Sequence, residues 1–392
     1  MKRIVQFGAG NIGRSLVGQL FATAGYEVIF VDAVNSLVEA LNTRGGYDVI
    51  IRDDLPGAPD KIHVENVRAI VAHSSGAVVF AVSQADVVAT AVGPAVLPKL
   101  APVIAGGILA RNGRPLSIIL CENLRGAADM MRRKLAEILP AGFDLSRVGL
   151  VETSIGKMVP IMPAAVVAAD PLVIWAEAYN QIIADRAGFV GEVPVVAGLV
   201  LKDNFAAYVD RKLFIHNLGH ATAAYHGHLA GKHFIPQCVA DPAIRAAARA
   251  VMWASATALV ARYPTEFNAA NQQEHVDDLL RRFGNVALND SVYRVGRDLY
   301  RKLAPDDRCI GALRLVQSTG GDIAPICRTI AAALRFKGRD EAGRMFPADE
   351  KFQKELAARG PEAMLADVCQ LRPPADVRAV AEILRGYTQI KP

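Results

Sequence analysis

Ile4-Val5-Gln6-Phe7-Gly8-Ala9-Gly10-Asn11-Ile12-Gly13 is the stretch that decides the fold. An apolar run of strand length enters a GxGxxG turn directly, and the helical pattern Leu16–Ala24 follows. A loop that cradles phosphate needs that order. Gly8 makes the tight turn, Gly10 admits a pyrophosphate to the backbone, and Gly13 lets helix and strand pack closely. The amides at the helix start, from Ala9 through Asn11 and Ile12, then offer an anion site. GxGxxG alone is a weak signal, but a second apolar run, Glu27–Val31, ends in Asp32, 24 residues after Gly8. A carboxylate there accepts hydrogen bonds from both adenosine ribose hydroxyls and repels a 2′-phosphate. Ala33, Val34 and Asn35 include no Arg to receive such a phosphate. The expected cofactor is therefore NAD. Arg14, beside the third glycine, either pairs with the pyrophosphate or is a solvated helix residue.

Outward from this motif, Val87–Val92, Leu116–Leu120 and Val148–Val151 are further continuous apolar runs of strand length. Leu37–Asn42 and Ala127–Leu139 read as crossover helices between them. Buried strands alternating with helices are the signature of a doubly wound parallel sheet. From about residue 203 the texture changes. Asn204–Gly227, Pro242–Tyr263 and Ile323–Phe336 read as helices, and strand-like runs nearly vanish. The expectation is an α/β N-terminal Rossmann-type doubly wound sheet over residues 1–196, followed by a mostly α-helical C-terminal domain over 197–392. Gly93 and Pro94 follow one of the strands and are expected to lie against the middle of the dinucleotide.

Length and composition agree with two globular domains: 392 residues, 52% hydrophobic and 21% charged. No run of about 18 uncharged apolar residues suggests a membrane span. The amino terminus, where Met1-Lys2-Arg3 is followed by an apolar run that breaks at Gly8, does not read as a signal peptide. A cytoplasmic location is expected. Five scattered cysteines with no CxxC pair argue against a disulfide framework or a zinc ribbon. His226, His228 and His233 match no strong zinc spacing, so no metal is expected. A net charge of +5 permits an anionic ligand but makes no case for nucleic acid. With no coiled-coil signal, a monomer or a homodimer is expected.

The second informative segment is Arg211-Lys212-Leu213-Phe214-Ile215-His216-Asn217-Leu218-Gly219-His220. On an α-helix, at about 100° per residue, Lys212, His216, His220 and Asn217 span one polar face of about 140°. Phe214, Ile215 and Leu218 take the other. A solvated amphipathic helix gives the same pattern. Alcohol oxidation also calls for such a set, needing a base for the hydroxyl proton and neutral donors for the developing alkoxide. A lysine can be that base only where burial or nearby positive charge lowers its pKa.

Lys212-x4-Asn217-x2-His220 resembles the Lys-x4-Asn-x2-His signature of the polyol-specific long-chain (mannitol) dehydrogenase family. Gly8–Arg14, Thr90–Pro94, Cys121-Glu122-Asn123, Asp203-Asn204, Arg211–Ala221 and Arg294–Arg297 are similar to family segments in the family's order. The length and texture resemble most the members acting on mannitol 1-phosphate. The resemblance implies a metal-independent, NAD-dependent secondary-alcohol dehydrogenase. In it Lys212 is the general acid/base, Asn123 and Asn217 form the oxyanion hole, and His220 positions the substrate. Read locally, Asn123 is a turn-capping residue; the resemblance makes it functional. The substrate implied is a polyol phosphate exchanging with a ketose phosphate. The alternatives are an uronate (fructuronate or tagaturonate) reductase, an unphosphorylated-polyol dehydrogenase, and, from another class, a non-catalytic NAD-binding sensor.

The chain departs from the family at Ile155-Gly156-Lys157-Met158-Val159-Pro160, where an Asp-Arg pair is expected and Gly156-Lys157 stands instead. Lys157 cannot supply the same fork of donors. His216, where the family is generally apolar, is either a packed core histidine or a new substrate contact. Arg294 and Arg297, with Arg301, Lys302 and Arg308, are either phosphate donors or part of a solvated charged helix with Asp298, Asp306 and Asp307.

Overall fold

The computed structural model describes residues 1–53, 55, 57–160 and 162–390, so the last two residues of the expected second domain lie outside the described residues. Two compact units emerge, Met1–Phe205 and Ala206–Pro392.

The first unit holds β1 Arg3–Phe7, β2 Glu27–Asp32, β3 Tyr47–Ile51, β4 Lys61–Val64, β5 Val67–Val71 and β6 Val87–Thr90. After these come β7 Leu116–Leu120, β8 Val148–Ile155, β9 Ile174–Ala176, β10 Ile182–Asp185 and β11 Leu199–Lys202. The main sheet runs β11-β10-β8-β7-β6-β1-β2-β5. Every pairing from β5 through β8 is parallel, whereas β10 is antiparallel to β8. Continuous apolar runs survive in β6 and β7 because both faces are covered, and all their residues are buried. In β1 the two-residue period sends Ile4 into one core and Val5 into the other. Helices Asn35–Arg44, Ser75–Gln84, Ala101–Leu109 and Ala127–Ile138 supply crossovers.

The strand order reverses at β1, where Phe7 lies opposite both Val31 and Thr90. A crevice at the carboxyl ends of the strands follows from that reversal. A separate three-stranded sheet, β4-β3-β9, packs beside it. Reading by continuous apolar runs does not reach these three strands: β3 alternates buried with half-buried residues, only Val64 of β4 is buried, and β9 is three residues long.

The helix after the glycine turn departs from the expected α-helix. It opens as a π-helix over Gly13–Gly18 and becomes α only at Gln19–Thr23. Close packing accounts for this widened turn. A Cβ on Gly18 would come within 2.6 Å of both the Phe30 ring and the Tyr47 hydroxyl, and the Tyr47 hydroxyl donates to the Arg14 carbonyl at 2.8 Å.

The second unit is helical, with only isolated bridges such as Phe234↔Ser291 among the described residues. Pro242–Arg262 is long and apolar enough, by length and composition, to cross a membrane. In this unit it is a core helix, burying Ile244, Val251, Met252 and Leu259. It lies so close to the helix Leu218–Leu229 that a Cβ on Gly219 would fall 2.4 Å from the Met252 sulfur.

A Cβ on Gly13 would sit 1.9 Å from the Gly8 carbonyl oxygen, which is backbone and cannot swing aside. Gly13→Ala should therefore destabilise the protein by about 1–3 kcal/mol. Thermal or urea denaturation reads this, and an unchanged transition would contradict the close packing.

Candidate active site

The first unit carries the candidate nucleotide residues. A 710 Å³ cleft at the strand-order reversal is lined by Gly8, Gly10, Asp32, Ala33, Val92 and Lys99, among others. Gly8 holds φ +90°, and a Cβ there would meet the Ala91 carbonyl oxygen at 2.6 Å; a Cβ on Gly10 would meet nothing within 4 Å. Backbone is thus bare where a diphosphate must approach, and Asn11 and Ile12 lead into the π turn. The Asp32 carboxylate is fixed by two backbone donors, Ala9 N–H at 2.7 Å and Val34 N–H at 3.0 Å. Each oxygen keeps lone pairs for further donors. Gly93, at φ +87°, turns the chain after β6.

Arg14 takes neither expected role. It is buried and donates from Nε to the Ala9 carbonyl at 2.7 Å and from Nη1 to the Pro171 and Leu172 carbonyls at 3.0 and 2.9 Å. Three carbonyls satisfy the guanidinium, which ties the glycine turn to the approach to β9.

Asn123 is exposed, three residues past the end of β7. Its neighbour Glu122 is buried and accepts from the Thr90 hydroxyl at 2.7 Å and the Val92 N–H at 3.1 Å. Burial raises the Glu122 pKa. That carboxyl locks the ends of β6 and β7 together and sets the base from which Asn123 projects. Lys157, just beyond β8, is buried and donates to the Asn180 side chain at 3.2 Å.

The second unit carries Lys212, Asn217 and His220. The expected continuous α-helix is interrupted by a π-helix spanning Lys212–Asn217, between Phe205–Arg211 and Leu218–Leu229. An α-helix would hold Lys212 and Asn217 about 140° apart. A π turn closes on the fifth residue, so the two fall in register on one face. Packing of the atoms around the Lys212 amine strips it of water, and with a lesser contribution from the Arg308 charge its pKa falls to about 8. His216 is buried, with its ring 5.7 Å from that of Phe283, and burial, reinforced by Arg282, holds its pKa well below the usual imidazole range. It is a neutral, packed side chain.

His220 stacks on Phe283 with ring centroids 4.7 Å apart and planes at 9°. Its Nε2 lies 3.2 Å from a carboxylate oxygen of the buried Asp290. Arg294 is committed to the same carboxylate, Nε at 2.7 Å and Nη2 at 2.6 Å. Arg297 lies over the Tyr293 and Phe346 rings, 5.5 Å from each centroid. Lys302 is buried and donates to the Val295 and Arg297 carbonyls, which pins this arginine-bearing segment, and burial lowers its pKa to about 7.

The two halves match two family models, the mannitol dehydrogenase Rossmann domain over residues 2–198 and the mannitol dehydrogenase C-terminal domain over residues 204–387. The chain belongs to the mannitol dehydrogenase family. The solved structure of Pseudomonas fluorescens mannitol 2-dehydrogenase, a ternary complex with NAD and D-mannitol, is 18% identical at a TM-score of 0.75. That match covers 99% of this chain and 91% of the other. A D-sorbitol dehydrogenase in substrate-free form is 16% identical at a TM-score of 0.76, covering 99% and 92%. At these identities the likeness is one of fold.

For this family member, Asp290 and Phe283 are additions that sequence reading missed, and the effect of Arg308 on Lys212 was not foreseen although Arg308 itself was named. Only the Asp290/Arg294 spacing of four residues carried a local signal, that of a helical ion pair; nothing pointed to His220.

Asp32→Ala should raise the KM for NAD on the order of 10-fold, through loss of charge-assisted hydrogen bonds, and narrow the preference over NADP. Steady-state kinetics with both cofactors check this. An unchanged preference would remove Asp32 from the ribose site.

Proposed function

We propose that the protein is an NAD-dependent dehydrogenase that interconverts a polyol phosphate and a ketose phosphate. The observation that carries the reading is the π turn holding Lys212 and Asn217 in register, with the Lys212 pKa lowered to about 8. A general base works best when its pKa lies near the operating pH, and this amine meets that condition.

The bare backbone at Gly10 and the fixed carboxylate of Asp32 fit a dinucleotide with an unmodified ribose. NAD bound there supplies the acceptor for hydride in alcohol oxidation and the donor in reduction. The residues do the rest. Lys212 takes the hydroxyl proton on Nζ. Asn123 and Asn217 donate to the oxygen as negative charge develops, as neutral dipoles do in an oxyanion hole. His220 holds a neighbouring hydroxyl. In reduction the same lysine, protonated, returns the proton.

Support for a phosphate on the substrate comes from the Arg308 charge that acts on Lys212, its Nε held by Asp307 at 2.7 Å. Guanidinium groups match phosphate oxygens in pairs. A second reading, an unphosphorylated polyol, is favoured by the commitment of Arg294 to Asp290 and by the stacking of Arg297 on aromatic rings.

Lys212→Met should retain NAD binding and lose turnover by about 10²–10⁴-fold; near-normal turnover would reject the assignment. Comparing kcat/KM on mannitol 1-phosphate, mannitol, arabinitol and fructuronate decides the substrate. The proposal expects the phosphate to lead, and equal or better turnover of mannitol would transfer the reading to the unphosphorylated polyol. Failure of every polyol and keto-sugar would leave a non-catalytic NAD sensor.

A further inference from the structure

We propose that Asp290 is a positioning residue that fixes the His220 proton on Nε2, so that Nδ1 is the atom that accepts a hydrogen bond from a substrate hydroxyl. The inference rests on the reading of His220 as a substrate contact.

Asp290 is 2% exposed. One carboxylate oxygen, Oδ1, receives Arg294, and the Asp290 carbonyl accepts the Ile235 N–H at 2.9 Å, so the residue is held from two sides. The other oxygen, Oδ2, is buried and has no hydrogen-bond partner within strict geometry among the described residues. The group facing it is His220 Nε2, at 3.2 Å. A buried acceptor left unmatched costs free energy, and that cost is relieved when Nε2 carries a hydrogen and turns toward Oδ2. The opposite tautomer would set the Nε2 lone pair against a carboxylate oxygen, two acceptors facing each other in a buried place.

The imidazole cannot escape this choice by moving away. Its plane is held against Phe283 by the 4.7 Å stack, and its backbone lies in the helix Leu218–Leu229. In neutral imidazole a hydrogen on Nε2 makes Nδ1 an acceptor. No hydrogen bond engages Nδ1 among the described residues. A polyol offers hydroxyl donors at every carbon, and an acceptor fixed in direction and polarity selects one of them. A carboxylate that sets the tautomer of a working histidine from its far side is a general device.

The structure also says what Asp290→Asn does. Arg294 donates to the Oδ1 side, so the amide oxygen of the variant stays with Arg294 and the amide NH₂ faces His220. Nε2 must then accept, the proton moves to Nδ1, and the nitrogen that met the substrate changes from acceptor to donor. The shape of the site is nearly unchanged.

The test uses full-length protein labelled with ¹⁵N at its eight histidines, recorded by NMR without substrate in mildly alkaline buffer. The His220 signals are those lost in His220→Asn. The wild type should show the Nε2–H form and Asp290→Asn the Nδ1–H form. In parallel, Asp290→Asn should raise the polyol KM on the order of 10- to 100-fold, with kcat falling less. A lower melting temperature with tautomer and KM unchanged would mark Asp290 as merely structural and overturn the proposal. Should the variant fail to fold, the wild-type spectrum decides alone, since an Nδ1–H wild type contradicts the inference. An unchanged polyol KM in His220→Asn overturns the substrate contact, and with it the part given to His220 in the function proposed above. A wild-type Nδ1–H form overturns the Asp290 inference only.

Discussion

The Lys212 amine is held where packed protein replaces much of its water and Arg308 adds a like charge, and the rest of the proposed chemistry depends on that placement. An ordinary lysine stays protonated far above neutral pH and cannot accept a proton from an alcohol. Desolvation penalises the charged form and brings the pKa to about 8. The folded state bears a cost for this, ~2 kcal/mol once residual exposure is discounted. Because the pKa is lowered on folding, that cost is fully present below about 8 and fades as pH rises toward the ordinary lysine value. His216 adds nothing to the charge, since burial keeps it neutral.

Each unit carries a widened turn. In the first unit the π segment Gly13–Gly18 follows the glycine turn, with Gly13 packed on the Gly8 carbonyl and Gly18 beneath Phe30 and Tyr47, where neither presents a side chain. In the second, Lys212–Asn217 places residues five apart on one face. Regular α-helix resumes on the far side of each.

Much of this was legible in the sequence. The Rossmann sheet announced itself because strands covered on both faces are apolar throughout, and GxGxxG with Asp32 has a steric and electrostatic logic that survives without coordinates. Helical content in the second half followed from its Ala- and Leu-rich periodicity. Family membership was readable from the spacing around Lys212 and the ordered segments before and after it. Other features were not legible, for physical reasons. The arithmetic of 100° per residue put Lys212 and Asn217 at the two edges of one polar face, and no residue type signals the π turn that changes their spacing. Arg14 was weighed as a phosphate ligand or a solvated residue, whereas it satisfies three carbonyls, one from the glycine turn itself and two from distant chain. The partnership of Asp290 with His220 joins segments remote in sequence, brought together where Val292–Gly296 packs on the helix Leu218–Leu229.

The pH dependence of kcat/KM for polyol oxidation tests the central claim most directly, because it reports ionisations of the free enzyme. The account predicts a single-proton rise with a midpoint near about 8, above which the rate is level. A midpoint at the ordinary lysine value, or a rate that ignores pH through this range, would contradict a desolvated Lys212 as the base.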